Sequence, residues 1–175
     1  MRIIRHSVFE TNSSSTHSLS LGNGLALCDT LELPTNDANE VVVELGEFGW
    51  GYETLYLQSM KLSYLLTMVA MTEINKETIP EHVSPIEFYR STDGFKTLND
   101  FVQKYGYAGI STEKIGIQWK SYQSDGRYLD ISGHIDHQSC EGYASLQSFL
   151  NAEEVTVEKL LMDKDSKIII DNDND

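Results

Sequence analysis

Positive charge is the scarcest commodity in this sequence. Thirteen Lys and Arg face 27 Asp and Glu, for a net charge of −14 at pH 7. A surface with that balance repels phosphate backbones, so direct binding to nucleic acid is disfavoured. Cysteine is almost absent as well. Cys28 and Cys140 form no CxxC pair and no metal-knuckle spacing, which argues against a disulfide framework or a zinc knuckle and leaves two free thiols. The longest apolar run, "YLLTMVAM", is far too short to cross a bilayer. The first residues carry two arginines but neither an apolar core segment nor a small-residue cleavage site. The expected location is therefore the cytoplasm, with no membrane contact. Three prolines, no internal repeat and no low-complexity linker argue against a jointed or disordered chain.

What is present fits one globular domain spanning residues 1–175. Apolar residues make up 40% of the 175 positions, enough to close a core without staples. Charge is unevenly spread. Residues 1–60 carry net −6, residues 61–120 are neutral, and residues 121–175 carry net −8. Acidity of this kind also serves solubility alone.

The first 45 residues read as short strands. "RIIRHSVF", "HSLSL", "LALCDTLEL" and "EVVVEL" are branched or alternating, and "GNG" at 22–24 predicts a hairpin between the second and third. In "QSMKLSYLLTMVAMTEIN" (58–75), Leu62, Leu65, Leu66 and Val69 recur at helical spacing, thickened by Tyr64, Met68 and Met71. That stripe predicts a central helix. "PEHVSP" reads as a loop. "FKTLNDFVQKYG" (95–106) predicts a second amphipathic helix stopped by Gly106. Two strands, "KIGIQWK" and "RYLDISGHI", should form a hairpin, followed by helices over "YASLQSFL" and "NAEEVTVEKLLM". Asn151 and Glu154 look like a capping box for the last helix. The strand "SKIII" and a short acidic tail, 171–175, close the chain. This order predicts an α+β fold, with a mostly antiparallel sheet packed against two to four helices.

Two stretches carry candidate chemistry. In "ETNSSSTHS", Asn12, Ser13, Ser14, Ser15 and Thr16 offer dense hydrogen-bonding capacity beside His17. They can close a tight turn through local backbone bonds, or present donors to an anionic ligand. The run has no GK[ST] and no GxSxG, so it is neither a Walker loop nor a nucleophile elbow. If "HSLSL" is a strand, His17, Leu19 and Leu21 share a face, with His17 at the end of the apolar row. In "GHIDHQS", His137 ends a comparable row, ahead of Ser139. His134 and Asp136 should then point the other way. Two histidines ending two core-facing rows could converge on one pocket as a metal pair, as acid–base groups or as hydrogen-bonded structural residues. Zinc would need a third ligand, and none is evident from spacing. The tail "DNDND" lacks the glycine and distal glutamate of a calcium loop and reads as solvated. No cofactor motif emerges.

"VFETNSSSTHSLSL", "HIDHQS" and "IIIDNDN" together resemble a family of small bacteriophage and prophage proteins, mostly from Gram-positive hosts. The first string is the most specific of the three, and the resemblance spans both ends of the chain. It implies one motif set across residues 9–18, 134–139 and 171–174, and a bacterial host cytoplasm. It implies no activity. By wider association, phage proteins of this size and acidity include anti-CRISPR inhibitors of Cas9-type nucleases. Two functions are expected to compete. One is a counter-defence or host-takeover protein that binds a basic host protein by nucleic-acid mimicry, with Glu153, Glu154, Asp163 and Asp165 in its acidic face. The other is a small phosphoesterase or nuclease-like hydrolase, with His17 and His137 catalytic and the Ser13–Thr16 turn and Ser139 holding phosphate.

Overall fold

The computed structural model describes residues 2–5, 15–22, 27–75, 77–122, 126–136 and 142–172. Its centre is an antiparallel sheet of four strands in the order β1-β2-β10-β5. These are β1 (Arg2–Arg5), β2 (Ser15–Leu21), β5 (Glu53–Leu55) and β10 (Lys167–Asn172). Register follows the apolar rows. Leu19 lies opposite Ile168 and His17 opposite Ile170 on one side of β10, and Leu55 faces Ile168 on the other. Leu19, Leu55, Ile168 and Ile170 are all buried.

Short pairs fill in around this sheet. β3 (Glu40–Val41) runs parallel to β6 (Gly109–Ile110), and β4 (Glu47–Phe48) runs parallel to β9 (His134–Ile135). β7 (Ile117–Tyr122) and β8 (Gly126–Ile131) form the expected antiparallel hairpin. The chain is thus α+β and mostly antiparallel.

Helix α1 (Gln58–Glu73) is the hub, touching β9, α3 (Asp93–Lys104), α4 (Leu146–Ala152) and α5 (Val157–Met162). The predicted stripe is buried, and so is nearly everything else from Lys61 to Ala70. A helix enclosed on all sides belongs in a core rather than on a surface. Its last turn is tied to two other helices at once. The Glu73 carboxylate accepts the Gly94 N–H at 2.8 Å and the Leu146 N–H at 2.9 Å, at the starts of α3 and α4. A Cβ on Gly94 would sit 2.4 Å from Glu73 Oε1, so this approach needs glycine.

Several expectations are corrected. β2 pairs with β1 and β10, and of "LALCDTLEL" the described residues 27–33 do not pair with it but bridge from Leu27 to Asp163. Gly22 packs instead of turning: a Cβ there would lie 2.3 Å from the Asp163 carboxylate. Residues 23–26 lie outside the described residues. "PEHVSP" is a loop over residues 80–84, but its last residue starts a helix, α2 (Pro85–Ser91), with Ser84 and Glu87 completing a capping box. Asn151 does not cap the last helix, because it belongs to α4; Thr156 caps α5 by accepting from the Lys159 N–H. Asp171 and Asn172 are strand residues of β10 rather than tail. "RYLDISGHI" breaks after Ile131, and His134–Ile135 pairs elsewhere as β9. No helix of the described residues is long and apolar enough to cross a membrane.

Candidate functional site

β2 carries His17 to the edge of the core, opposite Ile170 and two pairs beyond Leu19 opposite Ile168. There the imidazole meets α1. His17 Nδ1 and the Tyr64 hydroxyl share a 2.9 Å hydrogen bond, with ring centroids 5.7 Å apart. Tyr64 is 2% exposed, and Phe48 stacks edge-on to its ring at 5.2 Å. A buried phenol seeks a partner for its hydroxyl, and His17 serves here. Burial pushes the His17 pKa down to about 4, while the nearby Asp136 carboxylate pulls the other way. Desolvation wins, so His17 is neutral at pH 7.

The other wall comes from α4 and the residues just before it. Tyr143 donates its hydroxyl to Glu153 Oε1 at 2.7 Å, and its ring stands at 87° to Phe149. His17, Tyr64, Tyr143, Phe149 and Glu153, with Leu19 and Ile168, line one small cleft of about 20 Å³. Its lining is aromatic and aliphatic, with the imidazole of His17 and the carboxylate of Glu153.

The predicted site residues fall as follows. His17 is at the cleft. Ser15 and Thr16 are strand residues of β2, opposite Asn172 and Asp171. Asn12, Ser13, Ser14, His137 and Ser139 lie outside the described residues. Asp136, the residue before His137, is close enough for its charge to act on His17. Strand alternation had sent it to the opposite face, but β9 ends at Ile135, and alternation does not extend beyond it. Among the described residues, no three His, Cys, Asp or Glu side chains gather as a metal site.

The proposed acidic face loses two members. Glu153 is 4% exposed and Asp163 is fully buried, whereas Glu154 and Asp165 are on the surface. Glu153 is held inside by Tyr143. Asp163 Oδ1 accepts the Asp165 N–H at 3.0 Å and lies in the electrostatic range of Lys61. Lys61 is itself 1% exposed and donates to the Ser166 carbonyl at 3.0 Å. Burial pulls its pKa down to about 8 against the opposing pull of Cys28 and Asp163. Tyr64, Tyr143 and Asp136 were not picked out as site residues. The only sequence signal for Tyr64 was a hydroxyl on an otherwise apolar stripe.

No protein-family model, curated protein or solved structure matches this chain.

Proposed function

We propose that this chain is a phage-borne counter-defence or host-takeover protein that inhibits a basic, nucleic-acid-binding host protein, a Cas9-type nuclease being one example. The observation that carries the reading is how surface charge is spent. Lys96, Lys104, Lys114 and Lys120 each sit within ion-pair distance of a carboxylate of the same chain: Asp93, Glu158, Glu44 and Asp130 respectively. Asp29, Glu32, Asp37, Glu47, Glu77, Glu81 and Asp165 face solvent without an ion pair among the described residues, against the exposed, unpaired cations Arg90, Arg127 and Lys164. Such a surface attracts cationic protein surfaces and speeds their encounter. It can occupy a channel built for a phosphate backbone.

The hydrolase reading gains a cleft and a neutral imidazole at His17. It is opposed by local charge. Glu153 lines that cleft and Asp136 acts on its histidine, so a phosphate dianion would meet two carboxylates.

The test is inhibition of DNA cleavage by a purified Cas9–guide complex, and of DNA binding by purified basic bacterial proteins, over a salt series. Inhibition should weaken as the Debye length falls from about 10 Å at 0.1 M salt to about 3 Å at 1 M. The triple charge reversal Asp37→Lys, Glu154→Lys, Asp165→Lys should slow association. If His17→Ala abolished an activity that the charge reversals left intact, the hydrolase would replace the inhibitor.

A further inference from the structure

The acidic surface has one place where it is also sticky. Trp50, Tyr52, Tyr56 and Leu57 are 75%, 72%, 63% and 50% exposed, all within one short segment around β5. Large apolar side chains crowded at the surface mark interaction sites, whereas single ones do not. Leu55 is buried opposite Ile168, while Tyr52 and Tyr56 flank the three-residue strand and are exposed on either side of it.

β5 is also an open edge. It is the terminal strand of the four-stranded sheet, and no strand pairs with its outer side among the described residues. Proteins usually guard such an edge with lysine or proline. Residues 46–57, "GEFGWGYETLYL", contain no lysine, arginine or proline. The edge is limited instead by the shortness of β5, three residues, and by Glu53.

Charge around this edge is of one dominant sign. Glu47 is exposed and Glu53 half-buried within the segment itself. Glu32 is exposed and is fixed beside the start of α1 by its N–H bond to Gln58 Oε1 at 2.7 Å; Asp29 lies exposed in the same loop. Two lysines are near: Lys167, half-buried one position before the Ile168–Leu55 pair, and Lys61, buried in the first turn of α1.

We propose that the β5 edge is the docking site for an extended, arginine- and lysine-bearing segment of the partner, added as a fifth strand. The inference rests on the basic-partner reading and assigns it an address. Main-chain bonds to β5 would supply affinity, and alternate side chains would supply specificity. Arginine suits both surroundings: its plane stacks on Tyr and Trp faces, and its fork bonds carboxylates. The chain already uses this stacking internally, with the Arg127 guanidinium 4.4 Å from the centroid of Trp119.

The probe is a synthetic heptapeptide alternating Arg and Val, titrated against full-length protein carrying Trp119→Phe so that fluorescence reports Trp50 alone. Circular dichroism of each variant establishes that it is folded. Saturable change in Trp50 emission is expected. Tyr52→Ala with Tyr56→Ala should weaken binding by about tenfold, in keeping with loss of stacking. N-methylation of alternate peptide nitrogens should weaken it as much. Equal binding by the double-tyrosine variant overturns the docking site and leaves the basic-partner reading standing. So does salt-sensitive inhibition of a purified basic protein without any peptide binding. Equal binding of a peptide with serine in place of arginine overturns the cationic occupant. A dimer in sedimentation that Tyr56→Ala dissolves gives the edge to a second copy and overturns the proposal too. Failure of the peptide together with failure to inhibit any basic protein removes both readings.

Discussion

Tyr64 holds His17 by a single 2.9 Å hydrogen bond, and that bond joins the central helix to the second strand. It holds a titratable ring in a place that disfavours its charge. The folded pKa is about 4 against an ordinary 6.5, so between those values the unfolded chain binds more protons. Stability is therefore retained above pH 6.5 and lost as pH falls toward 4. At about 1.4 kcal/mol per unit, the loss attributable to His17 is roughly 3 kcal/mol. Urea denaturation at pH 7 and pH 4 should reveal it, and His17→Asn should flatten this part of the pH dependence. An equal slope in the variant would place the acid sensitivity elsewhere.

Lys61 gives the mirror case at high pH. Its folded pKa is about 8 and its ordinary value 10.5, so the folded state again binds fewer protons in between. Stability should rise from pH 8 to 10.5 as the penalty for burying the charge is relieved. Lys61→Met should keep the fold, because its stem is already packed, and should lack that rise. The comparison of wild type with the variant separates Lys61 from other groups titrating there.

Glu73 serves two helix starts, so its removal should cost more than an ordinary surface change. Glu73→Ala strands the N–H groups of Gly94 and Leu146. A loss of about 2 kcal/mol is expected, within the range for orphaned donors and lost caps. Glu73→Gln retains one acceptor oxygen and should recover part of it. If thermal melting cannot distinguish Glu73→Ala from wild type, water replaces the carboxylate at no cost.

Leu65 is fully buried in α1. Leu65→Ala should lower stability by about 2–5 kcal/mol through lost transfer energy and a residual cavity. The denaturation midpoint should fall with the slope unchanged.

Local patterns were legible wherever one segment determines its own structure. Leu62, Leu65, Leu66 and Val69 announced α1, and Phe95, Leu98, Phe101 and Val102 announced α3. The signature of α2 was also there, in Ser84-Pro85 followed by Glu87, but the two flanking prolines suggested a loop. What could not be read is pairing at a distance. Nothing local to "SKIII" says that it lies between β2 and β5. Glu153 and Asp163 looked like surface charges because such residues are rarely buried without partners, and the Tyr143 hydroxyl that holds Glu153 is ten positions away. The cleft shares this limit. His17 could be picked out by its place in a row, while Tyr64 and Tyr143 reach it only through the tertiary fold.

The position of β10 has a consequence for biosynthesis. Its residues 167–172 separate β2 from β5, so the two strands made earlier have no direct ladder to one another. A chain still on the ribosome, with those residues inside the exit tunnel, can form α1 and the β7–β8 hairpin but not the sheet. Until then Leu19, Leu21 and Leu55 have no strand between them to complete their layer. Such long-range closure slows folding and exposes apolar edges to other chains. Closure of the four-stranded sheet therefore waits for residues 167–172, whereas β1 and β2 can pair before them.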